Sequence, residues 1–333
     1  MKTTNVLNEI KCIVCNSTNV LLNYRLPYGD VFLCKECQVA FTNFKDKNEF
    51  YIANSKWDEF DRLKSQIYIL PELRKIALNR LRLLQKYSKG KNLIEFGPNT
   101  GEFLHVASKH GFQVTGVDQF PAILNLNKCK GMNFISSKAE EINIKEKFDI
   151  VAAFHLFEHL EKPKHFLDVV WSMLNENGIL FLEVPNYNSH SRIAQREKWD
   201  MFYNYHLTHF DDISLSGLLV KCGFKLLKVR TVQPLNLLFD KYYLPIRHFA
   251  WTLLKKIFST NKVKLNNLEV RNKEVVCLSI EDENKIHKGL KSKMSGLEIC
   301  VKNILSIPFI PYAYFVSKNG RGDMLQIIAT KDG

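Results

Sequence analysis

Hydrophobic and polar positions follow two different periods along the middle of the chain. Short apolar runs typical of buried strands alternate with segments in which apolar residues recur every three or four positions, as in helices. The predicted strands are 92–96, 112–117, 132–136, 148–153 and 178–184, and the predicted helices are 101–109, 121–128 and 163–174. This alternation predicts a doubly wound parallel α/β sheet with helices on both faces, which binds ligands beyond the carboxyl ends of its strands.

The flanking segments extend this pattern. Residues 63–87 place leucine and isoleucine at helical spacing among basic residues, which predicts one or two amphipathic helices, while 224–233 and 322–331 predict the last two strands. Between them, 234–318 predicts a helical, partly apolar and basic insertion. Four roles remain open for it: a lid, a dimer contact, a membrane-surface patch or a solvated helix over a core. The predicted domains are 1–46, 47–90, 91–233, 234–318 and 319–333.

Composition sets broad limits on the kind of protein. The 333 residues are 46% hydrophobic and 24% charged, which is ordinary for a globular enzyme. A formal charge of +13 predicts basic surface for an anionic partner, without choosing among nucleic acid, phosphorylated small molecules and a membrane face. The N-terminus lacks the apolar run of a signal peptide, and no stretch is long enough to predict a transmembrane helix. We expect a cytoplasmic protein, with 234–318 as one route to the inner membrane face.

Four cysteines form two CxxC pairs near the N-terminus. The pairs are Cys12-Ile-Val-Cys15 and Cys34-Lys-Glu-Cys37, and eighteen residues separate them. Two such knuckles supply the four thiolates of a tetrahedral zinc site, whereas two disulfides or four unrelated thiols are the alternatives. Because four cysteines fill the coordination shell, we expect a structural zinc ion in a zinc ribbon. The ribbon lacks dense basic runs with interleaved aromatic residues, which argues against a nucleic-acid partner.

The stretch 93–104, "LIEFGPNTGEFL", predicts a strand, a glycine loop and the start of a helix. A dinucleotide fingerprint would place three glycines here, but Glu102 stands at the final glycine and Glu95 ends the strand. Two carboxylates repel a pyrophosphate and attract a ligand that carries an ammonium and a sulfonium, such as S-adenosylmethionine. Asn99 can adopt the left-handed backbone conformation that a middle glycine would otherwise supply.

Two further acids follow later strands. Asp118 ends the second predicted strand, where a carboxylate can accept hydrogen bonds from both ribose hydroxyls of an adenosine cofactor, in an NAD enzyme as well. Glu140, in "SSKAEEI", is placed near the adenine pocket, with a surface carboxylate at a helix start as the alternative.

These stretches together resemble the class I S-adenosylmethionine-dependent methyltransferases. The matching segments are "LIEFGPNTGEFL", "VTGVDQF", "SSKAEEI", "FDIVAAFHLFEHLEKPKHFL" and "NGILFLEVPN", in the family's order. The resemblance implies a seven-stranded Rossmann-like sheet with S-adenosylmethionine as the cofactor. It implies Glu95, Gly97 and Gly101 at the methionine end and Asp118 on the ribose. It also implies that the backbone around Phe154 and His155 lies beside the cofactor, while Asn99 departs from the family's middle glycine.

The acceptor side is predicted from the loop that follows the fifth strand. Tyr203, Tyr205, His206 and His209 cluster in this polar and aromatic loop, and histidine is a common general base. The loop resembles that of zinc-containing sugar C-methyltransferases, which carry Tyr-x-Glu-His and whose histidine is thought to act as a base on a nucleotide-linked sugar. Tyr203 and His206 match this pattern, and Tyr205 stands in the Glu position. A buried histidine that binds a loop carbonyl is the structural alternative for His206.

The sequence therefore predicts a methyltransferase that modifies carbon or oxygen of a nucleotide-linked or lipid-linked sugar in surface polysaccharide biosynthesis. In this hypothesis His206 and Tyr203 are the candidate catalytic residues. An NAD-dependent sugar-modifying oxidoreductase is one alternative. A zinc-ribbon RNA-binding protein with a methyltransferase-like scaffold is the other.

Overall fold

The computed structural model describes residues 10–46, 70–120, 132–234 and 309–331. The strands are β1 Val20–Leu26, β2 Gly29–Cys34, β3 Ala40–Phe44, β4 Asn92–Phe96, β5 Gln113–Asp118, β6 Asn133–Ser136, β7 Phe148–Phe154, β8 Leu174–Pro185, β9 Thr208–His209, β10 Phe224–Val232 and β11 Met324–Lys331. The α-helices are α1 Leu70–Leu84, α2 Glu102–Lys109, α3 Pro163–Met173, α4 His190–Gln195, α5 Asp212–Lys221 and α6 Ile310–Lys318. Two 3₁₀ turns span Phe157–His159 and Arg196–Lys198.

A seven-stranded sheet in the order β10-β11-β8-β7-β4-β5-β6 forms the centre of the fold. Its pairs β4–β5, β5–β6, β4–β7 and β7–β8 are parallel, whereas β11 is antiparallel to both β8 and β10. The predicted seven-stranded Rossmann-like sheet is confirmed, including the terminal pair of strands. The predicted helix 121–128 lies outside the described residues.

Helices cover both faces of this sheet, so its central strands are buried on both sides. Alternate residues of each strand belong to two separate cores, as the period of two in a strand requires. Ile94, Val151 and Leu182 pack with α3 and α5 on one face. Leu93, Ala152 and Phe181 pack with α1 and α2 on the other. Burial on both faces explains why these strands read as continuous apolar runs.

The N-terminal segment forms a second, four-stranded sheet in the order β1-β2-β3-β9. The first three strands are an antiparallel meander, as the predicted ribbon requires, and β9 comes from the loop after β8. Leu26, Val31 and Ala40 pack in one apolar cluster with Trp199 and Phe202 of that loop. The ribbon is therefore fixed to the loop that carries the predicted acceptor residues.

The chain divides into one unit of Met1–Val232 with Lys318–Gly333 and a second unit of Gln233–Ser317. In the second unit, the described residues include most of α6, and the Gln233 backbone N–H donates to Ser317 Oγ at 2.9 Å. Most of the predicted insertion lies outside the described residues. The described helices include none that is long and apolar enough to cross a membrane.

Candidate active site

The glycine loop lies between β4 and α2, at the carboxyl edge of the sheet. Its backbone is left-handed at Gly97, Asn99 and Gly101, with φ of 67°, 50° and 72°. The prediction that Asn99 adopts this conformation is confirmed. A Cβ at Gly97 would lie 3.2 Å from Leu156 Cδ1. This glycine therefore permits a close approach between the loop and the segment that follows β7.

Two acids end adjacent strands at this edge. Glu95 is 4% exposed and Asp118 is 8% exposed. Burial raises the pKa of Glu95 to about 8, the nearby Arg80 charge lowers it, and Asp118 raises it further. Among the described residues, Glu95 Oε2 has no hydrogen-bond partner. A buried carboxylate in this position would gain much from a cation, because burying a charge without a counter-charge is costly.

Glu102 is paired with an arginine of the protein, whereas its place in the loop predicted a carboxylate beside a cationic ligand. Its buried carboxylate accepts a hydrogen bond from Arg74 Nε of α1 at 2.9 Å. The negative charge of Glu102 is therefore balanced inside the protein, so the cofactor edge depends mainly on Glu95 and Asp118.

Glu183 of β8 is the centre of a charged network that the sequence analysis missed. Its carboxylate accepts hydrogen bonds from Arg80 and Gln326 and contacts His155 Nε2 at 3.1 Å. Burial opposes ionisation of Glu183, but the charges of Arg80 and His155 hold its pKa well below the usual range. A lone acid inside the apolar run 179–185 was the available signal, because such an acid is buried only when it is paired.

The backbone around Phe154 and His155 lies at the end of β7. The Phe154 side chain is 7% exposed and packs inside the core under the Arg80 guanidinium, 4.1 Å from the ring centroid. His155 has a φ of 54° and a side chain 39% exposed. Burial lowers its pKa, but Glu158 and Glu183 outweigh this effect and raise the pKa to about 9. This edge of the site therefore carries a positive imidazolium between two carboxylates.

Glu140 lies before α3 and is half-buried. Its carboxylate accepts a hydrogen bond from the backbone N–H of Lys162, the residue that precedes the first turn of α3. Burial raises the pKa of Glu140. A contact with adenine stays a prediction for this residue, and its observed partner is a helix N-terminus.

The loop between β8 and α5 brings His206 next to the segment after β7. His206 is 5% exposed, its Nδ1 donates to the Met201 carbonyl at 2.8 Å, and its ring lies 4.7 Å from that of His159. Burial and the charge of His159 lower the pKa of His206 to about 3, so the ring is neutral with its lone pair on Nε2. The carbonyl contact agrees with the structural alternative, and the base role stays a prediction.

Two tyrosines cover these histidines. Tyr203 is 39% exposed and stacks on Tyr205 with ring centroids 5.1 Å apart, and its edge also meets His206 at 5.1 Å. Burial raises the pKa of Tyr203. The predicted pair Tyr203 and His206 is therefore brought together, with one ring accessible to solvent and the other buried.

The cysteine pairs converge as the zinc prediction requires. Cys12 Sγ lies 3.5 Å from Cys37 Sγ, Cys15 Sγ lies 3.5 Å from Cys34 Sγ, and all four sulfurs lie within 4.8 Å of one another. Both knuckles have the same backbone turn. The residue after the second cysteine, Asn16 or Gln38, has a φ near 60° and donates its N–H to the carbonyl of the first cysteine. Two matching turns with four convergent sulfurs fit a tetrahedral metal ion.

Comparison with known proteins finds similarity to methyltransferases. Residues 68–229 match the family model described as a methyltransferase domain. The C-methyltransferase NovU of Streptomyces niveus is 23% identical over 210 residues, which cover 61% of this chain and 48% of NovU. The ubiquinone biosynthesis O-methyltransferase of Coxiella burnetii is 26% identical over 150 residues, which cover 41% of this chain and 59% of that enzyme.

The chain thus spans about half the length of the curated relatives it matches. A crystal structure of a SAM-dependent methyltransferase from Archaeoglobus fulgidus gives a TM-score of 0.45 at 18% identity and covers 78% of this chain and 94% of that one. The glycine loop and the acids at the strand ends lie within residues 68–229, so this part of the chain is a methyltransferase domain of the matched family.

Proposed function

We propose that this chain transfers the methyl group of S-adenosylmethionine to carbon or oxygen of a nucleotide-linked or lipid-linked sugar in surface polysaccharide biosynthesis. One arrangement carries the proposal. The segment after β7 contacts the glycine loop through Leu156, and three residues later it packs His159 against His206. A cofactor at the loop and an acceptor at His206 would therefore meet across one short segment.

The cofactor side supports a cationic ligand. Glu95 is buried without a hydrogen-bond partner at Oε2 among the described residues, and Arg74 already binds Glu102. An ammonium near Glu95 would restore the ionised carboxylate that burial disfavours. We place the methionine end of the cofactor along Glu95, Gly97, Asn99 and Gly101, and the ribose at Asp118.

The acceptor side supports a small molecule with polar groups. Tyr203 offers an accessible aromatic face, and His206 offers a neutral imidazole at the end of the same loop. The sugar assignment rests on the resemblance to sugar C-methyltransferases, where Tyr203 and His206 match the pattern. Relatives named as a C-methyltransferase and as an O-methyltransferase leave both acceptor atoms in the proposal.

The zinc ion in this proposal has a structural role. Cys12, Cys15, Cys34 and Cys37 would hold it with four thiolates, so the ion has no open position for a substrate. It would fix the ribbon, whose third strand pairs with β9. Strand β9 lies within the loop between β8 and α5, which we call the acceptor loop.

The His206→Ala variant tests the role of His206 at the acceptor. We expect it to bind S-adenosylmethionine as the wild type does and to lose at least tenfold in methyl transfer. Calorimetry measures cofactor binding, and mass spectrometry measures the methylated sugar. The matched control is His190→Ala, at an exposed histidine of α4. Undiminished transfer by His206→Ala would remove His206 from the proposal.

A further inference from the structure

Glu158 is a buried carboxylate beside three histidines. It is 2% exposed, and neither of its oxygens has a hydrogen-bond partner among the residues that the structure describes. The nearest ion-pair contact is His155 Nδ1, 3.6 Å from Oε1, which is too long for a hydrogen bond. A buried carboxylate without a donor is costly unless a cation binds it.

Two histidines lie beside this carboxylate, and in both the Nδ1 nitrogen already donates a hydrogen bond. His159 Nδ1 donates to the Tyr205 carbonyl at 2.9 Å, and His206 Nδ1 donates to the Met201 carbonyl at 2.8 Å. A carbonyl oxygen only accepts, so each of the two rings, when it is neutral, keeps its lone pair on Nε2. Metal-binding histidines are usually held in this way, with the second ring nitrogen donating to a carbonyl or carboxylate.

The three side chains come close enough to share one ion. A ring nitrogen of each histidine and a carboxylate oxygen of Glu158 lie within 4.8 Å of one another. An ion with ligand bonds of about 2.0–2.2 Å would draw these atoms closer together. His159 lies in the 3₁₀ turn after β7 and His206 in the loop after β8, so small side-chain rotations on two elements would bring the ligands together.

We propose that Glu158, His159 and His206 bind one divalent transition-metal ion on the acceptor side of the site. Two imidazoles and one carboxylate favour Zn²⁺, Fe²⁺, Co²⁺ or Mn²⁺ over Mg²⁺ and Ca²⁺, which prefer all-oxygen ligands. Three protein ligands leave coordination positions open, unlike the four cysteines of the ribbon. His155 is the competing cation for Glu158, although it shares its charge with Glu183.

This site deepens the proposed function and rests on it for the identity of the acceptor. An ion here would bind the oxygen of the acceptor and make its hydroxyl, or the C–H beside its carbonyl, more acidic. His206 would then activate the acceptor through the ion, and the proton that the acceptor loses would pass to solvent water.

Cobalt binding to the full chain, without a purification tag, tests the proposal. The ribbon is first filled with one equivalent of Zn²⁺, which four thiolates hold tightly, and Co²⁺ is then titrated while visible absorption is recorded. We expect one further equivalent of Co²⁺, with d–d bands and no thiolate charge-transfer band. Glu158→Gln and His206→Gln should each weaken this binding at least tenfold. Glu161→Gln and His165→Gln, at exposed positions nearby, should bind as the wild type does.

The outcomes separate this site from the proposed function, because the titration contains neither cofactor nor acceptor. Saturable Co²⁺ binding that both variants lose would support the site even if no sugar were methylated. The site would be overturned, even if methylation were observed, if no Co²⁺ bound after the ribbon had been filled with Zn²⁺. It would also be overturned if a folded Glu158→Gln or His206→Gln variant bound Co²⁺ as tightly as the wild type. Circular dichroism of each variant shows that it is folded, and His159→Gln replaces any variant that is not.

Discussion

Thr42 of the ribbon and His209 of the acceptor loop form a buried hydrogen bond, with Oγ1 and Nε2 2.9 Å apart. The two residues lie on β3 and β9, which pair through Ala40 with His209 and Phe41 with Thr208. His209 follows His206 by three residues. The fold of the ribbon and the position of the acceptor loop are therefore coupled through one short strand pair.

Removing the partner of His209 should destabilise the protein. In Thr42→Val the side-chain volume is kept but the buried imidazole loses its hydrogen bond, which costs about 1–3 kcal/mol. We expect the free energy of unfolding, measured in urea, to fall by that amount. Thr18→Val, at an exposed position of the ribbon, is the control. An equal loss in both variants would mean that the hydrogen bond contributes nothing specific.

Loss of the zinc ion proposed for the ribbon should impair transfer more than cofactor binding. Structural zinc sites contribute folding energy directly, so Cys15→Ser or treatment with a strong chelator should disorder the ribbon and release β9. We expect methyl transfer to fall at least tenfold while calorimetry shows unchanged affinity for S-adenosylmethionine, because the glycine loop lies outside the ribbon. Cys222→Ser, at a half-buried cysteine of the same unit, is the control. Full activity of the zinc-free protein would contradict the coupling.

Affinity for S-adenosylmethionine should rise with pH through the titration of Glu95. The folded pKa is about 8, so at lower pH most Glu95 is protonated and a cationic ligand must expel that proton to bind. The affinity should therefore increase from about pH 6 and level off above about pH 8, the pKa of Glu95. At pH values above about 8, Glu95→Gln should weaken cofactor binding about ten- to a hundredfold, because a charge-assisted hydrogen bond is worth about 1.5–3 kcal/mol. The affinity of this variant should also change less with pH.

The same carboxylate has an opposite effect on the free protein. A folded pKa above the unfolded value means that the stabilisation from protonated Glu95 is complete below the unfolded pKa of about 4.5 and is lost as pH rises through about 8. Without cofactor, Glu95→Gln should therefore be more stable than the wild type at pH 8.5, by thermal unfolding. Glu176→Gln controls for the change in net charge, because this residue is exposed. A wild-type pH profile in Glu95→Gln would refute the role assigned to the carboxylate.

The Arg80–Glu183 pair should show strong coupling. Their side chains are 15% and 5% exposed, and removing one partner of a buried pair leaves an uncompensated charge that costs about 3–5 kcal/mol. Arg80→Met should be destabilised by about that amount, and adding Glu183→Gln should recover part of it. Unfolding free energies of the double-mutant cycle measure the coupling, with Arg82→Met, an exposed residue on the same helix, as control. Additive effects would show that the two charges act independently.

The elements of the fold were predictable because their apolar periods are local. The alternating cores of β4, β7 and β8 and the N-terminal cap of α5 at Asp211 each leave a signal within a few residues. The two-residue strand β9 leaves none, since Thr208 and His209 become a strand only when the ribbon supplies a partner.

The site was predictable where a residue pattern has one common role. Cysteine pairs and a glycine loop can be recognised in the sequence, but the partners that neutralise buried charges cannot. Arg74 binds Glu102, 28 residues further along the chain, and Arg80 binds Glu183, 103 residues further along. Glu158 and His159 meet His206 only because two loops from adjacent strands end at the same edge.

Transfer of a labelled methyl group is the sharpest test of the proposed function. The full chain is incubated with S-adenosylmethionine that carries a deuterated methyl group and with a panel of nucleotide-linked and lipid-linked sugars, and the products are analysed by mass spectrometry. The proposed function predicts one labelled methyl group on a sugar carbon or oxygen, dependent on His206. Label that appears only in RNA or protein, or tight NADH binding with no affinity for S-adenosylmethionine, would contradict it.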